Sequence, residues 1–260
     1  MGRVITFSEF RAYSKSLPAD CVRGTILDTN ILIALTYEAK PSHEKTWKFL
    51  DDLFELGFSL FTTVNTRAEY LDFQRRLIMT ENLLDSIDEH SNWKISTLAR
   101  TQIQAQSGLV IRAKKNQGSD PVFSDRQLKK IKSAFSAGMH SGQVGWLKLC
   151  RSFLKDRLLA AENELTSFNI GYISQHDPKQ KDYFQNMIDW PEARRLAEES
   201  CVGVADAMII NASQCTKFPF LVSADFDIGY AALASSDIKD VVMPDSVAKV
   251  YRDYHFDSAP

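Results

Sequence analysis

Four short acidic segments lie far apart in the chain, each where a strand is expected to pass into a helix or on the helix that follows. They contain Asp28, Glu69, Asp206 and the pair Asp225 and Asp227. The carboxyl ends of parallel strands meet along one edge of an α/β sheet, where such folds bind ligands. The pattern therefore predicts an α/β fold with a parallel sheet whose acidic residues assemble along one edge.

Short apolar, β-prone runs alternate with helical patterns in the first and last thirds of the chain. Gly57 ends the helix that begins near Pro41. We predict strands at residues 24–27, 58–61, 219–222 and 241–243. We predict helices at residues 5–16, 31–37, 41–57, 192–201, 204–215 and 228–234.

The character of the chain changes between residues 77 and 191, where helical patterns dominate and strand signals are few. Residues 127–135 and 146–165 are predicted as helices in this stretch. We therefore expect residues 1–76 and 192–260 to form an α/β core. Residues 77–191 are interpreted as a large helical insertion, not as an independent domain.

The net charge of −2 conceals a strongly basic segment. Residues 94–157 contain 13 Lys or Arg and three acidic residues, which gives +10, so the rest of the chain carries −12. Such a split indicates a polyanionic partner, and a solvated helical face is the alternative. The candidate nucleic-acid-binding residues are Arg112, Lys114, Lys115, Arg126, Lys129, Lys130 and Lys132. Further basic residues are expected to extend this surface along one helix: Lys148, Arg151, Lys155 and Arg157.

The remaining composition is typical of a globular cytoplasmic protein. The four cysteines form no CxxC pair and are expected to be reduced, mostly buried thiols. No HExxH motif is present, so a zinc site is not indicated. No apolar run approaches transmembrane length, so we expect no association with a membrane.

Convergent carboxylates repel each other unless a cation neutralises them. Hard oxygen ligands suit Mg²⁺ or Mn²⁺, which predicts a metal-dependent enzyme acting on phosphates. Asp28 and Asp225 are the expected direct metal ligands, and Asp206 is expected to bind the metal directly or through water. Glu69 is expected to hold a metal-bound water or to orient the attacking one. Asp227 is either a further ligand or the cap of a helix near residue 228.

Each acidic residue also has a purely structural interpretation. Asp28 and Asp225 can be helix caps at the ends of strands. Glu69 can be a solvated helix residue, and the neighbouring Asp72 competes for its role. Three polar residues are expected to support the site through hydrogen bonds, namely Asn30, Thr63 and Ser223.

Taken in order, these motifs resemble the PIN domain, the nuclease fold of many toxins of the VapC type. The matching segments are Asp28-Thr29-Asn30, Thr63 with Glu69, Asp206-Ala207-Met208-Ile209, and Ser223-Ala224-Asp225-Phe226-Asp227. The resemblance covers residues 22–76 and 195–245, which predicts a PIN-like core with a large helical insertion.

The resemblance implies a Mg²⁺- or Mn²⁺-dependent endoribonuclease that leaves 5′-phosphate and 3′-hydroxyl ends. It also implies the toxin of a toxin–antitoxin pair, with an antitoxin protein as partner and a homodimer as the assembly. Compact members of the family have a short helical link where this chain has about 115 residues. The RNA target, the dimer and the antitoxin therefore stay open.

Three alternatives are kept beside this hypothesis. A structure-specific DNA nuclease would use the same carboxylates. A non-catalytic PIN module would bind RNA or protein without cleaving, and loss of the acidic residues would favour it. A phosphatase of the haloacid dehalogenase type needs a second Asp two residues after the first, and Asn30 occupies that place.

Overall fold

The computed structural model describes residues 2–88, 95–117, 121–138, 142–235 and 237–253. Six strands form within these ranges: β1 (Val4–Thr6), β2 (Gly24–Leu27), β3 (Ser59–Thr62), β4 (Ile170–Tyr172), β5 (Phe220–Val222) and β6 (Asp240–Met243). Twelve α-helices form within the same ranges: α1 (Phe10–Ser16), α2 (Thr29–Thr36), α3 (His43–Glu55), α4 (Val64–Ser86), α5 (Thr97–Gln117), α6 (Asp125–Gly138), α7 (Gly142–Leu154), α8 (Arg157–Ser167), α9 (Trp190–Ser200), α10 (Val204–Cys215), α11 (Phe226–Ala234) and α12 (Asp245–Asp253).

The chain divides into two compact units. The first comprises Met1–Tyr70 and Glu164–Pro260, and the second comprises Leu71–Asn163. The boundaries between the units fall inside α4 and α8.

The first unit contains a single sheet in the order β1-β6-β5-β2-β3-β4, and all its strand pairs are parallel. The predicted α/β class with a parallel sheet is thus confirmed. After β2 the chain adds β3 and β4 on one side, and it later adds β5 and β6 on the other. The boundary between β2 and β5 is therefore the point where the strand order reverses, and such points form ligand-binding crevices.

Successive residues of a strand point to opposite faces of the sheet. Apolar side chains therefore lie on both faces, and helices cover both. On one face Phe220 of β5 packs against Phe10 of α1, with ring centroids 5.1 Å apart, and Phe10 packs against Phe49 of α3 at the same distance. On the other face Leu221 and Ile26 join a core that includes residues of α9, α10, α11 and α12. Burial on both faces explains why the strands read as continuous apolar runs in the sequence.

Lys239 fixes the end of α10 to the start of β5. Its Nζ donates to the backbone oxygens of Ser213, Thr216 and Phe218 at 2.7, 2.6 and 2.6 Å. These bonds tie the last turn of α10 to the segment that leads into β5. They hold in place the helix whose first turn carries Asp206.

The second unit is helical, with a core formed by residues of α4, α5, α6 and α7. Phe135 and Trp146 meet edge to face at its centre, with ring centroids 5.3 Å apart. Leu128 and Ile131 are buried in the same core. The unit is shorter than the predicted insertion of residues 77–191, because residues 164–191 belong to the first unit.

Several local predictions were wrong. β1 and a 3₁₀ turn at Phe7–Glu9 replace the beginning of the helix predicted at residues 5–16. β4 lies inside the stretch predicted as a helical insertion. The single helix predicted at residues 146–165 is instead α7 and α8, and Asp156 between them has a φ of 62°. Arg157 therefore lies on a different helix from Lys148.

The thiols are free, as predicted, but they are not mostly buried. Cys215 is buried, Cys21 and Cys150 are half-buried, and Cys201 is exposed. Among the described residues, no helix has the length and apolar character needed to cross a membrane.

Candidate functional site

Asp28 follows the last residue of β2 and is only 2% exposed. Its Oδ1 accepts a hydrogen bond from the Thr29 backbone N–H at 2.6 Å, which caps α2. Its Oδ2 accepts a hydrogen bond from Ser223 Oγ at 2.7 Å. Ser223 follows β5, so this bond joins the ends of the two strands at which the strand order reverses.

Asp225 is held by the same serine. Its backbone N–H donates to Ser223 Oγ at 2.9 Å, and its Oδ1 accepts from the Asp227 backbone N–H at 2.7 Å. The carboxylate thereby caps α11, which begins at Phe226. The alternative that Asp227 caps this helix is wrong, because Asp227 lies exposed in its first turn.

Glu69 reaches the site through Thr29, whose Oγ1 donates to Glu69 Oε2 at 2.6 Å. The start of α4 is fixed by a reciprocal pair. The Thr66 N–H donates to Thr63 Oγ1 at 3.2 Å, and the Thr63 N–H donates to Thr66 Oγ1 at 2.8 Å. Thr63 is therefore the N-cap of α4.

Asp72, the alternative to Glu69, is engaged elsewhere. Its two carboxylate oxygens pair with Arg75 at 2.6 Å and with Arg76 at 3.0 Å. Asn30 is exposed in the first turn of α2.

Asp206 lies half-buried in the first turn of α10. Burial, together with the nearby carboxylates of Asp225, Glu69 and Asp227, raises the pKa of its carboxyl to about 6. A side chain at Gly203 would place its Cβ 2.8 Å from Asp206 Oδ2. The glycine thus leaves room for this carboxylate at the start of the helix.

The electrostatics of Asp28 also indicate a concentration of acids. Burial raises the pKa of its carboxyl to about 7, against the hydrogen bonds from Ser223 and Thr29, which favour the ionised form. The charges of Asp225 and Asp206 raise this pKa as well. Asp28 and Asp206 are therefore each influenced by other acids of the four motifs, and Asp225 acts on both.

No ion pair between described residues involves Asp28, Glu69, Asp206, Asp225 or Asp227. In the described part of the chain, no three His, Cys, Asp or Glu side chains are grouped closely enough to hold a metal ion together. Mg²⁺ is usually bound by one or two carboxylates and several waters, so a site of this kind does not require three converging side chains. The donor chemistry fits a hard divalent cation.

Thr29 and Thr66 were not predicted as site residues. Thr29 joins Glu69 to the end of β2, and Thr66 shares the cap of α4. Thr66 follows Thr63 by three residues, which is the spacing of a reciprocal helix cap. That spacing was a signal in the sequence, whereas the contact between Thr29 and Glu69 depends on the fold.

The basic residues of the second unit lie on its surface where they are described. In α6, Leu128, Ile131 and Phe135 are buried. The candidate basic residues of this helix are all exposed, namely Arg126, Lys129, Lys130 and Lys132. Arg112 and Lys115 are exposed on α5. The side chain of Lys114, and all of Lys94, lie outside the described residues.

Comparisons of the chain with protein-family models, with curated proteins and with solved structures find no match. The assignment of function therefore depends on the geometry and chemistry of the site.

Proposed function

We propose that the chain is a Mg²⁺- or Mn²⁺-dependent endoribonuclease with a PIN-like core. The observation that supports this most directly is a cluster of carboxylates at the carboxyl edge of the sheet, beside the reversal of strand order. Burial raises the pKa values of Asp28 and Asp206, neighbouring carboxylates add to both shifts, and none of these acids has an ion-pair partner among the described residues. A cluster of this kind is suited to a divalent cation and a phosphodiester.

Of four acids, one or two would bind the metal directly and the others through its water molecules: Asp28, Asp206, Asp225 and Asp227. A bound cation of this class neutralises phosphate charge and lowers the pKa of water. Ser223 orients the Asp28 carboxylate, and its Oγ also fixes the backbone of Asp225. Each carboxylate oxygen of Asp28 retains a lone pair for a ligand after its single hydrogen bond.

Glu69 would orient the attacking water. Its Oε2 is fixed by Thr29, which leaves Oε1 to accept a hydrogen bond from that water. Because Thr29 directly follows Asp28, the water-orienting carboxylate and the metal-binding carboxylate are positioned from the same turn of the chain.

The direct test is metal-dependent cleavage of RNA. Purified protein is expected to cleave single-stranded RNA with Mg²⁺ or Mn²⁺, to stop with EDTA and to resume when the metal is restored. The products should carry 5′-phosphate and 3′-hydroxyl ends, which labelled substrates distinguish. Undiminished cleavage in EDTA would refute the mechanism. RNA binding without cleavage would favour a non-catalytic module, and preferential cleavage of DNA would favour the DNA-nuclease alternative.

We further propose that the chain acts in the cytoplasm as the toxin of a toxin–antitoxin pair. An adjacent reading frame encoding a small DNA-binding antitoxin would support it, and the antitoxin should then suppress cleavage by the purified chain. Sedimentation of the chain with and without that partner would determine whether a homodimer is the active assembly.

The basic face of α6 predicts a salt-dependent contribution to RNA binding. Replacing Lys129, Lys130 and Lys132 by Gln should weaken binding to RNAs of different sequence alike, because phosphate contacts carry no base information. For single strands the slope of log affinity against log salt should flatten by roughly 0.7 for each lost phosphate contact, or about 2 in total.

A matched triple variant controls for the change in net charge. Lys15, Lys217 and Lys249 are exposed lysines of the first unit, and replacing them by Gln removes the same three charges. Affinity titrations across a series of salt concentrations compare the two variants. An unchanged slope in the α6 variant would reassign this face to solvent or to a protein partner.

A further inference from the structure

An exposed aromatic residue lies on the same edge of the sheet as the carboxylates. Tyr172 is the last residue of β4, and its Cα pairs with that of Thr62 at the end of β3. Its side chain is 41% exposed. Two strand spacings of about 4.8 Å separate β4 from β2, so the ends of these strands are roughly 10 Å apart. Tyr172 therefore stands near Asp28 on the edge where the proposed chemistry takes place.

The guanidinium of Arg67 lies beside the ring of Tyr172. The guanidinium carbon lies 5.6 Å from the centroid of the Tyr172 ring. The guanidinium is itself fixed, because Nε donates to Thr62 Oγ1 at 2.8 Å and Nη2 donates to the Ile170 backbone oxygen at 3.4 Å. The backbone of Tyr172 is held by Gln180, whose Nε2 donates to the Tyr172 oxygen at 2.9 Å. An exposed ring is thus kept in a defined position with positive charge beside it.

An aromatic ring next to a fixed guanidinium is suited to bind an unpaired nucleobase by stacking. Bases stack on tyrosine and on arginine planes in single-stranded nucleic acids, whereas bases within a duplex are already stacked on their neighbours. Stacking tolerates any base, because every base has a π face.

We propose that Tyr172, braced by Arg67, is a stacking platform for an unpaired base one or two nucleotides from the cleaved bond. The inference rests on the proposed nuclease function and assigns to Tyr172 a contact with its single-stranded substrate. Tyr172 is a positioning residue here: it holds the strand across the carboxyl edge and takes no part in the reaction.

The test measures RNA binding without cleavage. Wild type and variants are titrated in EDTA with a short single-stranded RNA that carries a fluorescent base analogue at successive positions. Tyr172→Ala and Tyr172→Leu should weaken binding by about 5- to 150-fold. Tyr172→Phe should bind as the wild type does, because it keeps the ring. At one position of the analogue, the wild type and Tyr172→Phe should quench its fluorescence, and the Ala and Leu variants should not.

Trp190 supplies a matched control. It is 59% exposed on the first turn of α9. Trp190 is not part of the proposed platform, so Trp190→Ala should leave RNA binding unchanged.

Several outcomes would overturn the inference: no binding of RNA by the wild type, equal binding by Tyr172→Ala, or an equal loss in Tyr172→Phe. If Tyr172→Ala weakened binding to a protein partner and not to RNA, Tyr172 would belong to a protein interface. Binding that depends on the ring without any cleavage would refute the nuclease proposal and keep the platform. Cleavage at the wild-type rate by the Tyr172 variants would support the nuclease proposal and refute the platform.

Discussion

Asp28→Asn protein is expected to lose RNA cleavage by about 10²- to 10³-fold while keeping its fold. A neutral amide oxygen binds a hard cation weakly, so the loss should appear in the catalytic rate. The local hydrogen bonds can persist. The amide oxygen can accept from the Thr29 N–H, and the amide nitrogen can donate to Ser223 Oγ, which has a second lone pair beside the one used by Asp225.

Asp225→Asn should cause a loss of similar size for the same reason. Asp51→Asn is the matched control, because Asp51 is an exposed aspartate on α3, away from the carboxyl edge motifs. Initial cleavage rates at saturating RNA separate catalysis from binding, and circular dichroism verifies the fold. Near-normal rates for both Asp28→Asn and Asp225→Asn would show that the site is assigned to the wrong residues.

The strands that flank the site were predictable because their signals are local. β2 is a short apolar run followed directly by Asp28, and β5 is one followed by Ser223-Ala224-Asp225. Parallel strands buried on both faces form such apolar runs. β4 has only Ile170, Gly171 and Tyr172, preceded by a helix, and no periodicity distinguishes three such residues. Its identity as a strand depends on pairing with β3, which is more than 100 residues away. A pairing over such a distance is not encoded in any local window.

The break between α7 and α8 was missed for a different reason. Asp156 adopts a positive φ without a glycine or proline to announce it, and aspartate reaches this conformation only occasionally. The apolar periodicity continues across the break, so the pattern reads as one helix.

The site was predictable as a set of residues but not as a set of contacts. Asp28 and Ser223 were both named from their motifs, yet their hydrogen bond spans 195 residues of sequence. The sequence alone could not assign the cap of α11 to one residue. Asp225 and Asp227 are both acids near a helix start, and only the observed start at Phe226 assigns the cap to Asp225.

The metal-free protein is expected to become less stable as the pH rises from about 5 to 8. The pKa of Asp28 is about 7 in the folded chain against 3.8 ordinarily, so the folded state retains a proton that the unfolded state has lost. Stability from the neutral carboxyl is therefore fully present below pH 3.8 and is lost as the pH rises through about 7. Asp206, with a pKa of about 6, acts in the same direction.

The Asp28→Asn variant should remove most of this dependence, because an amide does not ionise. Each unit of pKa difference corresponds to about 1.4 kcal/mol, so the variant should be more stable than the wild type at pH 8 by on the order of a few kcal/mol. Melting temperatures should then differ by about 5–10 °C at pH 8 and should approach each other towards pH 4. The difference between the two curves cancels the histidines and other groups that titrate in both proteins.

Mg²⁺ should reduce the difference in melting temperature between the wild type and Asp28→Asn at pH 8. At pH 8 it should raise the melting temperature of the wild type by binding only the folded state, and it should raise that of Asp28→Asn much less. Asp51→Asn should follow the wild type throughout. A wild-type melting temperature that does not change between pH 5 and 8, or an Asp28→Asn curve parallel to it, would contradict the assignment. A substitution that stabilises the fold while abolishing cleavage would mean that the buried carboxylate serves chemistry at the expense of stability.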